Sequence, residues 1–300
     1  MPKSHNASEP VDRPLRHAGP APLTIAVLLN GKGPFHLVVD TGATLTVVSP
    51  DVAEELGLEP FDQVVRRGAG GTVTIDLARV DTVRSGNVER TDAVIGISRQ
   101  ATRLCKTAAG NIGFDILQHF VLRFDVPRRR AALLAETPVD TVSAPLPFRI
   151  GEGGKSLILL PATLDEQGPF QFALDTGAMA TCIAPSLAEQ LDLVSVGGSA
   201  VQAIGVGGPV DAAFASRPVT LTIGNRTRSG VHPIIIDIFG PMPARDDADI
   251  FDPKPTRDDT GSSGPVMGGD GPHIVGLIGA DVLRSSVLIV DYPHRRLWID

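Results

Sequence analysis

A segment of eleven residues occurs twice in this chain. Gly33-Pro34-Phe35-His36-Leu37-Val38-Val39-Asp40-Thr41-Gly42-Ala43 returns as Gly168-Pro169-Phe170-Gln171-Phe172-Ala173-Leu174-Asp175-Thr176-Gly177-Ala178. The match goes on in both copies. Thr46-Val47-Val48-Ser49-Pro50 leads into Val52-Ala53-Glu54-Glu55-Leu56 and Gly57, and Cys182-Ile183-Ala184-Pro185 leads into Leu187-Ala188-Glu189-Gln190-Leu191. Each half then ends alike, Gly110–Leu117 against Gly276–Leu283. The register runs unbroken through Val121-Leu122, Asp125, Pro127 and Arg129-Arg130 against Val287-Leu288, Asp291, Pro293 and Arg295-Arg296. Three matched blocks in one order mark an internal duplication. Two copies in one chain can close on each other about a pseudo-two-fold axis, and Asp40 and Asp175 would then face one another.

One Asp-Thr-Gly alone is weak evidence, because any strand-to-turn transition favours Asp and Gly. Two such carboxylates brought together on apolar segments cannot both ionise comfortably. They would share one proton and activate one water. These residues resemble the retropepsin-like aspartic proteases, over nearly all of 23–135 and 157–300. Asp-Thr-Gly-Ala followed by an apolar-Gly-x-Asp-x-Leu block carries the resemblance. The chain departs from the retroviral pattern in being fused, and at Asn111, where the family has an apolar residue before Ile-Gly.

The resemblance implies an aspartic endopeptidase with Asp40 and Asp175 as its catalytic pair. It implies that the Thr41 and Thr176 hydroxyls cross-link the two active-site loops. Gly42 and Gly177 would allow the tight turns and bring N–H groups to the carboxylates, with Ile112-Gly113 and Ile278-Gly279 packed beneath. Ala43 and Ala178 place no hydroxyl beside the pair, unlike pepsin, so a mildly acidic optimum above that of pepsin is expected. The partner would be a polypeptide substrate bound extended by strand addition. The enzyme would be a monomer with an intramolecular pseudo-dimer, working without metal or cofactor.

The pattern along the chain predicts an all-β protein of two tandem barrels forming a bilobal, pseudo-two-fold molecule. Leu23–Leu29 and Phe35–Val39 flank a turn at Asn30–Gly33, and Leu157–Leu164 and Phe170–Leu174 flank one at Asp165–Gly168. Val73–Val80, Val94–Ile97, Val219–Ile223 and Ile234–Ile236 alternate as strands. Helical character is confined to Val52–Leu56, Leu187–Leu191 and the pieces after Asp115 and Asp281. Gly68, Gly70 and Gly71, with Gly205, Gly207 and Gly208, fall at matching places in the two repeats. They are expected at the tips of flap hairpins, where glycine supplies mobility and lets backbone approach a bound chain. Residues 1–22 read as a disordered tail, 23–135 as the first repeat, 136–156 as a linker and 157–300 as the second. From the aspartate of the first block to that of the last is 75 residues in the first repeat and 106 in the second. The excess maps to an acidic insertion at about 241–272, read as a surface loop.

A net charge of −7 argues against nucleic acid as a partner, which requires a concentrated basic face. No stretch reaches membrane-spanning length and the N-terminus lacks the apolar core of a signal peptide, so a cytoplasmic protein is expected. The histidines show no metal-ligand spacing. Cys105 and Cys182 occupy non-equivalent positions, which points to free thiols. Gly151–Ser156 ends like a phosphate-binding loop but lacks the first glycine and precedes a strand. The rival reading is a catalytically silent double barrel that binds peptides or partners. Against it stands the cost of holding two carboxylates face to face for no chemical return. A precursor inactive until cleaved is a third reading.

Overall fold

The computed structural model describes residues 22–103, 105–138, 143–151, 156–194, 201–238 and 273–300. The tail and the insertion at about 241–272 lie outside the described residues, apart from Pro22.

Each repeat starts with a hairpin whose turn is tighter than its sequence suggests. Strand Thr24–Leu29 returns as Lys32–Val39 through Asn30 and Gly31, both at positive φ (50° and 74°). A two-residue turn with both central φ values positive follows the right-handed twist of the strands, so pairing begins at Lys32 rather than after Gly33. The second hairpin, Ile158–Leu164 to Gln167–Leu174, turns at Asp165 and Glu166 in the same way (48° and 65°). Both turns are tied to a neighbouring strand by their first residue. Asn30 Oδ1 accepts from the Asp81 and Thr82 amides at 2.8 and 3.2 Å, and Asp165 Oδ1 from the Thr220 amide at 2.8 Å.

In the first repeat Thr24–Leu29 pairs with Lys32–Val39 on one side and with the fifteen-residue strand Gly71–Ser85 on the other, closing a six-stranded barrel. The second repeat follows the same path but stays open. Its counterpart of Gly71–Ser85 is broken into Pro209–Phe214 and Val219–Ile223, and that of Val88–Ile97 into Arg226–Val231 and Ile234–Ile236. Pro218 and Pro233 stand at the breaks. Having no N–H, proline cannot continue a central ladder.

Between the lobes runs a five-stranded sheet centred on Val121–Asp125 and Val287–Asp291, paired antiparallel. Asp125 lies opposite Val287, Asp291 opposite Val121, and Arg123 opposite Ile289 at the centre. Val121 and Asp125 correspond to Val287 and Asp291 in the repeat, so the pairing maps onto itself when the repeats are exchanged. The stretch read as a linker contributes two short strands of its own. Leu146–Pro147 joins the interlobe sheet, and Arg149–Ile150 pairs with Ile158–Leu164. One continuous apolar core draws on both repeats, with Leu37, Ile112 and Phe124 from the first and Phe172, Ile278 and Leu288 from the second.

The helices sit where the punctuation puts them. Pro50–Leu56 is capped by Ser49, whose hydroxyl accepts from the Val52 amide at 3.4 Å, and ends at Gly57 with φ 68°. Pro185–Gln190 has Ala184 at the cap with no side-chain bond, and Asp192 takes the left-handed position held by Gly57 in the first copy. Phe114–Leu117 forms one helical turn. The piece after Asp281, expected to be helical, is instead a series of turns. There, Val282 and Ser286 bond three residues back, to Gly279 and Leu283, so no α-type ladder forms.

Candidate active site

Lys32–Val39 and Gln167–Leu174 each pair in parallel with the block that ends their repeat, Gly110–Ile112 and Gly276–Ile278. Each strand delivers its aspartate at its end. The Asp40 amide donates to Ile112 O at 3.1 Å and the Asp175 amide to Ile278 O at 3.0 Å. Ile112 and Ile278 are fully buried, which fixes both loops on the core. Asn111, the departure from an apolar residue, donates through its side chain to Leu45 O at 3.2 Å.

The two loops are bolted to each other. Thr41 Oγ1 donates to Leu174 O at 2.8 Å and accepts from the Thr176 amide at 3.0 Å. Thr176 Oγ1 donates to Val39 O at 2.7 Å and accepts from the Thr41 amide at 3.1 Å. Each hydroxyl thus serves as donor and acceptor across the pseudo-dyad, deep inside the protein.

This bracket brings the carboxyls of Asp40 and Asp175 together. Gly42 and Gly177 donate to the Oδ1 of their own aspartates at 3.0 and 2.9 Å, and Ala178 to that of Asp175 at 3.1 Å. Each glycine also lies flat against the opposite carboxyl. A Cβ on Gly42 would fall 2.5 Å from Cγ of Asp175, and one on Gly177 would fall 2.6 Å from Cγ of Asp40. No larger residue fits either position. Burial, and then the Asp175 carboxylate, push Asp40 up to about 8, while the Gly42 and Ala43 amides pull it back. Asp175 is raised as well, by burial above all, against its own loop amides. The pair therefore favours holding one proton between the two carboxyls.

The flap glycines also come together. Gly68–Gly71 forms the tip of the hairpin Pro60–Gly68 to Gly71–Ser85, and Gly205–Gly208 the tip between Val201–Ile204 and Pro209–Phe214. Val73 and Ile75 of the first flap pack on Val47 and Leu45, which follow Asp40 in the chain. The tips meet backbone to backbone. The Gly207 amide donates to Ala69 O at 2.9 Å, Gly68 faces Val206, and Gly205 faces Ala69. A Cβ on Gly70 would sit 2.6 Å from the Gly208 nitrogen. The sequence suggested glycine here for mobility and for a bound chain, but the backbone these glycines approach is the opposite tip.

A family model described as aspartyl protease matches residues 24–116 and 160–282, well over half of the chain. The chain belongs to the aspartyl protease family. No curated protein matches its sequence. Among solved structures it is similar in fold to an aspartic proteinase from Irpex lacteus, 12% identical over 92% of each chain, with a TM-score of 0.50.

In this aspartyl protease a second pair of brackets supports the first, and sequence reasoning gave it no role. Thr46 donates through amide and hydroxyl to Asp115 Oδ1 at 2.8 and 2.7 Å, and its hydroxyl accepts from the Gly113 amide at 3.0 Å. Thr181, Asp281 and Gly279 repeat the arrangement at 2.9, 2.8 and 3.2 Å. A signal was present. A threonine stands six residues after each catalytic-loop aspartate, and an aspartate two residues after each Ile-Gly glycine. Burial raises Asp115 to about 6, against the bonds from Thr46. Tyr292 is buried edge-on between Phe114 and Phe148, at 5.9 and 6.0 Å. Burial, with Asp40 adding a smaller push, raises its phenol well above the ordinary range. Cys105 and Cys182 are free, and burial, then Asp175 and Asp281, push the Cys182 thiol to about 12. A thiol held neutral in this way is no nucleophile. Among the described residues no cluster could hold a metal ion, and no helix is long and apolar enough to cross a membrane.

Proposed function

We propose that this family member is an aspartic endopeptidase that hydrolyses peptide bonds in an extended polypeptide with a water activated between Asp40 and Asp175. The observation that carries the reading is the reciprocal seating of the two carboxyls, each against the other loop's glycine. That seating leaves one shared proton and one ionised carboxylate. The ionised carboxylate takes a proton from the water as oxygen attacks the scissile carbonyl, and the protonated partner gives its proton to the carbonyl oxygen. The neutral tetrahedral diol collapses as the protonated carboxyl gives its proton to the leaving nitrogen and the ionised carboxylate takes a proton from a diol hydroxyl. The C–N bond breaks, and amine and carboxylic acid leave with the dyad back at one proton. No covalent intermediate or cofactor is required. Both aspartates come from one chain, so the site needs no second copy. Strands at the flap edges offer an extended peptide backbone partners for strand addition.

The test uses purified protein, denatured casein as substrate, a pH series, and pepstatin. Asp40→Asn and Asp175→Asn are each expected to abolish pepstatin-sensitive cleavage while circular dichroism and the unfolding midpoint report a folded protein. Turnover near wild type in either folded single variant would overturn the mechanism.

A further inference from the structure

Arg103 lies in the turn region between strands Val88–Ile97 and Gly110–Ile112 of the first repeat, yet it bonds to the second. Its Nη1 donates to Val206 O at 2.9 Å, at the tip of the second flap. The next amide in that flap, Gly207 N–H, donates to Ala69 O at 2.9 Å. Val206 C=O and Gly207 N–H belong to a single peptide group. The first repeat therefore grips that one plane at both ends, by a guanidinium on its oxygen and a carbonyl on its nitrogen. Gly207 borders it on one side. A peptide group next to glycine rotates easily when nothing holds it, because glycine accepts both signs of φ. Pinning both ends fixes its orientation.

We propose that Arg103 is a positioning residue that clamps the second flap tip onto the first and thereby controls how readily the cleft takes up a polypeptide. The proposal rests on the endopeptidase reading for its substrate and on the contact alone for its clamp. The tips interlock too closely for a chain to pass between them, since added Cβ atoms at Gly70 or Gly205 would strike the opposite tip. A polypeptide enters after both bonds to the Val206–Gly207 peptide have parted. Arg103 is exposed, so its bond is of ordinary strength and can release without rearranging the core. In the repeat, the stretch corresponding to the Arg103 turn is the one that carries the insertion, which lies outside the described residues.

Arg103→Ala and Arg103→Lys in the full chain test this. Hydrogen exchange of the peptides covering residues 201–210 needs no substrate. It should run about fivefold faster in Arg103→Ala, the scale of one hydrogen bond, with the interlobe sheet unchanged, and Arg103→Lys should fall between. With a peptide substrate, Arg103→Ala should lower KM about fivefold with kcat within about twofold, because uptake no longer requires the bond to Val206 O to break and the clamp touches no reacting atom. Unchanged flap exchange would overturn the clamp whatever the activity. Faster exchange with KM and kcat both unchanged would overturn its role in uptake. Absence of any pepstatin-sensitive cleavage by wild type would instead sink the endopeptidase reading, and exchange alone would then decide the clamp.

Discussion

Asp40 carries the sharpest consequence at the scale of a single residue. Its ordinary value of 3.8 is raised to about 8 by burial and by the facing carboxylate. The folded protein therefore keeps a proton that the unfolded chain has released over the window from about pH 4 to pH 8. Stability falls as pH rises through that window, because the native state binds more protons there than the unfolded state. Asparagine at this position has no such proton to hold. Melting curves of wild type and Asp40→Asn should lie closest near pH 4 and separate towards pH 8, with the variant the more stable. Parallel curves across that range would mean that the carboxyl is not held protonated by its site. The sequence shows Asp40, Thr41 and Gly42 as a motif. It does not show that Gly42 exists to make room for Asp175, because that clash spans 133 positions of chain.

At the scale of elements, each active-site loop is held by a threonine bracket to the block that ends its repeat. The Thr181 hydroxyl donates to Asp281 and accepts from the Gly279 amide, the second bond shielded from water. Thr181→Ala would strand the buried Gly279 amide, while Asp281 Oδ1 keeps the bond from the Thr181 amide. It should cost about 1–3 kcal/mol in urea unfolding, while Thr181→Ser, which keeps the hydroxyl, should recover most of it. Equal losses in the two variants would show that methyl packing, not the hydroxyl, supports the loop. The hairpins were legible here because Asn30-Gly31 is a strong local turn signal and the flanking residues alternate. The open second barrel was not. Pro218 and Pro233 could be seen in the sequence, but that they interrupt two paired strands depends on which strands lie side by side.

The whole molecule is held as one body by the interlobe sheet and the shared core. Leu288 is fully buried opposite Phe124 of the other repeat. Leu288→Ala should cost about 2–5 kcal/mol, the usual range for emptying a buried leucine site, and calorimetry should still show one transition. Two separated transitions, in wild type or variant, would mean that the lobes unfold independently and that the common core does not couple them.

By itself the sequence determined the duplication, the all-β class, the aspartate pair and the place of the flap tips. Each of these is written locally, in repeated blocks, period-two alternation and glycine clusters, and comparing the two halves amplifies it. Tertiary structure decided the rest. It set the glycines cut to fit the opposite carboxyl, the tip-to-tip contact of the flaps and the reach of Arg103 to the second flap tip. These depend on distances between residues more than a hundred positions apart, and no local preference of the chain encodes such a distance until the two repeats have packed.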